Sequence, residues 1–162
     1  MIEPVKIIRT PIRLEYTYTA GIATSRFLRG LAEGRIMGQR CPQCGKVYIP
    51  PRGSCPVCAV PTQEEVRLSD RGTVTTFCIV NIPSQGLSVP VPYVCADILL
   101  DGADVPFMHI IQECPPEEVR MGMRVEAVWR LADELAPSVE SIRYFRPTGE
   151  PDAPFEAYKE YL

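Results

Sequence analysis

The residues best suited to chemistry lie in one stretch, RCPQCGKVYIPPRGSCPVC, residues 40–58. It holds Cys41, Cys44, Cys55 and Cys58 as two Cys-x-x-Cys pairs with ten residues between them. A two-residue gap lets both thiolates of a pair turn onto one ion, while backbone N–H groups of the tight knuckle donate to the sulfurs. Gly45 follows the first pair, where such a knuckle needs a residue that tolerates positive φ. Four soft thiolates in a tetrahedron select zinc, with iron next on ligand type alone. The sequence thus predicts one structural zinc per chain. A catalytic zinc keeps an open position and has three protein ligands, whereas here all four positions are taken. Redox work by one pair is disfavoured, because no βαβ pattern surrounds it.

The other reactive side chains offer no grouping. Cys78 and Cys95 sit in apolar, β-branched runs and read as buried small hydrophobes. Cys114, before Pro115 and Pro116, reads as more exposed, with no basic neighbour in sequence to lower its pKa. The sole histidine, His109, stands in VPFMHIIQ and reads as a half-buried, hydrogen-bonded strand residue rather than a general base. Glu117–Glu118 and Asp133–Glu134 fall in turns and read as solvated. Nucleophile-elbow, Walker and dinucleotide motifs are missing from the sequence. No residue is assigned a catalytic role, and the chain does not read as a free-standing enzyme.

Several elements must position the cysteines. Ile12, Leu14, Tyr16 and Tyr18 alternate with Arg13, Glu15, Thr17 and Thr19, predicting a strand or an extended arm laid across something apolar. Gly21 ends it. Thr24 or Ser25 then caps a short helix running to about Gly34, with Phe27, Leu28 and Leu31 on one face and Arg26 and Arg29 toward the other. After the cysteines come five strand-like runs at 73–82, 92–100, 105–112, 123–131 and 138–145, separated by turn signals and without amphipathic helices between them. Such a set predicts a closed or nearly closed antiparallel barrel; an OB fold fits, and an SH3-like barrel fits nearly as well on pattern alone. The connection 81–92 is a long, proline-interrupted loop of the kind that often carries function. In the tail, Phe155, Tyr158 and Leu162 have helical spacing, but prolines predict that it leaves the barrel before a final turn forms.

At 162 residues and 46% hydrophobic, the chain suits one domain plus a small module. No apolar run reaches the roughly 18–20 residues needed to span a bilayer. The start, MIEPVKIIRTPIRLEY, lacks the apolar core of a secretory signal, so a cytoplasmic location is expected, where seven cysteines mean metal or buried thiols. The net charge of −3 hides a split: residues 1–62 carry nine basic and three acidic residues, and the remainder eight basic and seventeen acidic. Either an anionic partner meets the first third, or the two parts complement each other within one fold. Nucleic-acid binding is the alternative function for a zinc ribbon with an OB-like barrel. The acidic barrel, with few aromatics free for stacking, opposes it.

The order SRFLRGLAEGRIMGQRCPQCGKVYIPPRGSCPVC, then GTVTTF, PYVCADILLDGADVPFMHII, MGMRVEAVW and YFRP, resembles the zinc-ribbon plus OB-fold family associated with thiolases and acyl-CoA metabolism. The resemblance covers roughly residues 20–147; its most specific marks are the helix directly before the ribbon, the PPR within it, and GMRVE before a late strand. It implies a mainly β chain: an N-terminal arm and helix (1–37), a rubredoxin-like zinc ribbon (38–62), a five-stranded OB-fold barrel (63–147) and a C-terminal tail (148–162). It also implies a non-catalytic subunit in a hetero-oligomer with a thiolase-fold enzyme. Such enzymes include thiolases, hydroxymethylglutaryl-CoA synthase, and retro-aldolases that shorten steroid side chains. Within the complex it would help to hold or pass acyl-CoA. Coenzyme A is rich in phosphate, and Arg26, Arg29, Arg35 and Arg40 cluster around the helix and ribbon, which makes them candidates for binding it. The arm IRLEYTYTAG departs from the family pattern and reads as an additional partner-binding strand.

Overall fold

A computed structural model describes residues 3, 10, 12–83 and 89–162. Helix α1 (Gly21–Ala32) is followed by three short strands, β1 (Met37–Arg40), β2 (Val47–Tyr48) and β3 (Glu64–Arg67). These form an antiparallel sheet in the order β2-β1-β3, with Gln39 opposite both Tyr48 and Glu65. Five strands then close into a barrel: β4 (Arg71–Val80), β5 (Tyr93–Leu100), β6 (Phe107–Ile111), β7 (Arg124–Trp129) and β8 (Ile142–Pro147). Their order is β4-β5-β6-β8-β7, and β7 pairs back onto β4. Closure joins β4 to β7 through Arg71–Thr73, which shortens the free edge of a small all-β unit. The β6–β8 contact alone is parallel and rests on one pair, Ile111 with Phe145. Topology settles what pattern left open, in favour of the OB fold.

One core runs through helix, ribbon and barrel. Phe27 and Leu31 of α1, Val47 and Ile49 of the ribbon, and Ile98, Phe107, Val125 and Phe145 of the barrel belong to a single buried cluster. The Phe27 ring meets Phe107 edge-on, with centroids 6.3 Å apart. Burying one such side chain contributes roughly 1.5–3 kcal/mol. The helix is therefore a plug on the barrel, and its apolar face is the one its sequence spacing indicates.

The structure departs from the sequence reading in five places. First, α1 begins at Gly21, ahead of Thr24 and Ser25, and Ala20 at its N-cap supplies no side-chain bond. Gly21 has φ +72°, a turn out of the arm that residues with a Cβ rarely make. Second, residues 12–19 form no strand: Ile12, Leu14, Tyr16 and Tyr18 are 75–79% exposed and lie across nothing among the described residues. A strand needs a neighbour for its backbone groups, and none is supplied among the described residues. Third, Cys78 is exposed and Cys95 half-buried, both on the barrel exterior. A register shift between Val74 and Thr76 inserts an extra residue in β4, so that Phe77 packs toward the core and Cys78 faces out.

Fourth, the run 138–145 opens as a 3₁₀ turn, Val139–Ser141, before β8. Ser138 Oγ accepts the Glu140 N–H, and Ser141 Oγ donates to Ala136 O, local bonds that compete with strand pairing. Fifth, the tail returns to the barrel in two 3₁₀ turns, with Tyr158 buried beside Gly122 and Asp152 bound by Arg120 at 2.6 Å. Glu117–Glu118 and Asp133–Glu134 do lie in exposed turns. Of the loop 81–92, residues 84–88 lie outside the described residues, as does most of 1–11. Among the described residues no helix is long and apolar enough to cross a membrane.

Candidate metal centre

The four ribbon cysteines converge. Sulfurs of Cys41, Cys44, Cys55 and Cys58 all lie within 4.8 Å of one another. Cys44 Sγ and Cys55 Sγ are 3.8 Å apart, close to the edge of a tetrahedron with metal–sulfur bonds of about 2.3 Å. The two knuckles repeat each other. Gly45 N–H donates to Cys41 O and Ala59 N–H to Cys55 O, while Cys41 N–H donates to Lys46 O and Cys55 N–H to Val60 O. The residue after each second cysteine has positive φ, +76° at Gly45 and +56° at Ala59. Backbone N–H groups then point at sulfur: Gln43 and Cys44 donate to Cys41 Sγ at 3.4 Å, and Cys58 donates to Cys55 Sγ at 3.3 Å.

Tyr48 completes the inner side, its Oη 3.2 Å from Cys55 Sγ in a buried contact. Sequence reading did not single it out; the signal was an aromatic two residues beyond Lys46, in the strand that returns the chain to the metal. Burial pushes the Cys55 thiol up, but bonds from Tyr48, Cys58 and Val57 outweigh it and bring the group down to about 6. Burial and bonds to the other sulfurs push Cys58 up to about 12. One tetrad thus contains a ready thiolate at Cys55 and a reluctant thiol at Cys58, and a single dication must gather all four negative charges. The donor set fits zinc, and all four positions of a tetrahedron are protein sulfur. Below it, Gln39 Oε1 accepts from Thr62 Oγ1 at 3.1 Å and Gly53 N at 3.3 Å, tying β1 to the second knuckle.

Three of the four arginines have a carboxylate partner. Arg26 faces Glu65 at 3.5 Å, Arg35 pairs with Glu33, and Arg40 binds Glu64 Oε1 and Gly45 O, each at 3.2 Å. Arg29 has no carboxylate among the described residues; with Arg26 it borders a shallow cleft of about 420 Å³ where the arm meets α1. His109 is half-buried between Phe107 and Phe145, at centroid distances of 5.9 and 5.5 Å. Its Nδ1 is buried with no hydrogen-bond partner among the described residues. Burial lowers its pKa and favours the neutral ring. Cys114 is half-buried, and burial pushes its thiol up.

A closed four-cysteine ribbon packed on a five-stranded OB barrel defines a zinc-ribbon/OB-fold protein. Residues 29–62 match the family described as the ChsH2 rubredoxin-like zinc ribbon domain, and residues 65–130 match the ChsH2 C-terminal OB-fold domain. A DUF35 domain-containing scaffold protein of Methanocaldococcus jannaschii is 42% identical over 101 residues, spanning 61% of this chain and 70% of the relative. One of the same description from Methanothermobacter thermautotrophicus is 34% identical over 101 residues, spanning 61% and 74%. The chain belongs to the DUF35 family. Among solved structures, the Ltp2-ChsH2(DUF35) aldolase superposes with a TM-score of 0.61 at 22% identity, covering 78% of this chain and 95% of that one. A DUF35 protein of unknown function from Sulfolobus solfataricus gives 0.57 at 19% identity, covering 78% and 84%. At these identities the structures support the fold.

Proposed function

We propose that this chain is a non-catalytic accessory subunit that docks on a thiolase-fold acyl-CoA enzyme and supports acyl-CoA binding or transfer. The observation that carries this reading is the arm. Ile12, Leu14, Tyr16 and Tyr18 stand exposed on a stretch that pairs with no strand among the described residues, and Ile22 follows at 76% exposure. Isolated exposed apolar side chains need no explanation, but an alternating series does: it suits strand addition to a partner's sheet, where main-chain bonds give affinity and alternate side chains fill pockets. The relatives' description as scaffold proteins agrees with a docking role, as does the Ltp2-ChsH2 pairing in the aldolase. The zinc ribbon then acts as a brace, with its metal closed to substrate.

For coenzyme A, Arg29 is the guanidinium on α1 without a carboxylate among the described residues, and Arg26 is released by breaking one exposed pair with Glu65. Their cleft adjoins the arm, so a phosphate held there would lie beside the docked enzyme. Purification from the native source tests the reading. A thiolase-fold enzyme should co-purify with the full chain and be lost when residues 1–19 are deleted, with zinc content unchanged. Recovery of nucleic acid without such an enzyme would replace this reading with the nucleic-acid module. In the intact complex, Arg26→Gln with Arg29→Gln should raise KM for acyl-CoA several-fold and leave kcat within about twofold.

A further inference from the structure

A cleft of about 760 Å³ opens on the barrel where β6 and β8 run parallel and share a single pair. Its walls include Met108, Val139 and Ile142, with Met108 and Val139 exposed. Two arginines border it, Arg130 and Arg143. Neither has a carboxylate partner among the described residues: Arg130 Nε donates to Glu140 O, and Arg143 lies over the Tyr144 ring at 5.4 Å. This is unusual within the acidic barrel, where Arg71, Arg120, Arg124 and Arg146 are all ion-paired. Among the described residues, three of the seven arginines between 63 and 147 have no carboxylate partner, and two of those three border this one cleft. One carboxylate, Glu140, also borders it and pairs with neither.

His109 supplies a second, independent sign. It lines the same cleft, and its buried Nδ1 has no partner. Buried polar atoms are almost always satisfied, so this orphan leaves a hydrogen-bonding position in the cleft open to an added group. We infer that this cleft binds an amphipathic anion, an apolar body carrying one carboxylate or phosphate. The planar guanidinium forks match either head group, and the methionine, valine and isoleucine walls match the body. The site uses none of the residues invoked for docking or for coenzyme A, and it stands or falls separately from them.

Calorimetric titration of the zinc-loaded full chain tests it with four probes: octanoate, octyl phosphate, octanol and inorganic phosphate. One or both amphipathic anions should bind one per chain, at least tenfold tighter than octanol or inorganic phosphate. Whichever of octanoate and octyl phosphate binds tighter identifies the head group. Arg130→Gln with Arg143→Gln should weaken that binding at least tenfold, with zinc content and the thermal midpoint unchanged. Val139→Glu, on the exposed wall, should weaken it as well without touching either guanidinium. The inference is overturned if neither anion binds by about 5 mM, if octanol binds equally well, or if the double variant binds like the parent.

Discussion

Asp104 Oδ2 accepts the Val47 N–H at 2.8 Å, and the Asp104 N–H donates to Val47 O at 2.9 Å. A turn of the barrel thereby completes the edge strand of the zinc ribbon, directly above the shared core residues Val47 and Ile49. Removing the side chain leaves a part-buried N–H unpaired, at a cost of about 1–3 kcal/mol. Asp104→Ala should therefore lower the denaturant midpoint, whereas Asp104→Asn keeps an acceptor and should stay within about 1 kcal/mol of the parent. Both should retain zinc. A loss of metal in Asp104→Ala would show that the contact holds the cysteines rather than the ribbon–barrel junction.

Tyr48 tests the metal centre without removing a ligand. Its hydroxyl at 3.2 Å favours the Cys55 thiolate, so Tyr48→Phe should raise that thiol and weaken zinc affinity about tenfold. Protons compete with zinc for sulfur, and affinity falls as pH falls. In the metal-free protein the same sign holds. Cys55 is lowered on folding, so the stability its thiolate contributes is present above the ordinary thiol range and is lost as pH falls through about 6. Competition with a chromophoric chelator at pH 6 and pH 8 should show the larger Tyr48→Phe defect at the lower pH. Cys41→Ser should lose the metal outright, and because Val47 and Ile49 lie in the common core, the barrel should melt several degrees lower too.

The two knuckles predict an asymmetric pair of substitutions. Gly45 adopts φ +76° at little cost, while Ala59 holds φ +56° in the equivalent place with a Cβ. Ala59→Gly should stabilise the ribbon by about 0.5–1 kcal/mol, and Gly45→Ala should cost about 1 kcal/mol. Thermal denaturation of the zinc-loaded protein measures both. Equal effects in the same direction would mean that the pseudo-symmetry of the knuckles does not extend to their energetics.

The metal centre was legible because its geometry is local: a two-residue gap fixes each knuckle, and Gly45 marks the turn. The five strand runs were legible for the same reason, since pleating imposes period two on neighbouring residues. What escaped depends on residues far apart in sequence. Cys78 faces out because of a slip at Val74 and Thr76 whose partner strand begins some twenty residues later. Arg26 and Arg40 look like an open basic patch in one dimension, but folding brings β3 and its Glu64 and Glu65 alongside. The cleft at Arg130 and Arg143 is invisible in sequence, because it is defined by carboxylates that fail to arrive. The arm illustrates the converse: alternation alone, at Ile12, Leu14, Tyr16 and Tyr18, makes no strand where no described part of this chain pairs with it.

Exposure of Cys78 gives the most direct test of the barrel register. Cys78 and Cys95 stand opposite each other on β4 and β5, both on the outer face, but Cys78 is exposed and Cys95 half-buried. Burial pushes the Cys95 and Cys114 thiols up and so depletes their reactive thiolates. The ribbon sulfurs are held by the metal. Brief treatment of the zinc-loaded protein with iodoacetamide, read by peptide mass mapping, should therefore modify Cys78 first, Cys95 and Cys114 slowly, and the tetrad least. Chelation should then expose Cys44, the exposed member of the tetrad, ahead of buried Cys41. Had β4 continued without its bulge, Cys78 would point inward with Val74 and resist the reagent until the barrel unfolds. An unreactive Cys78 in the folded protein would place the register shift elsewhere and return the β4 thiol to the core.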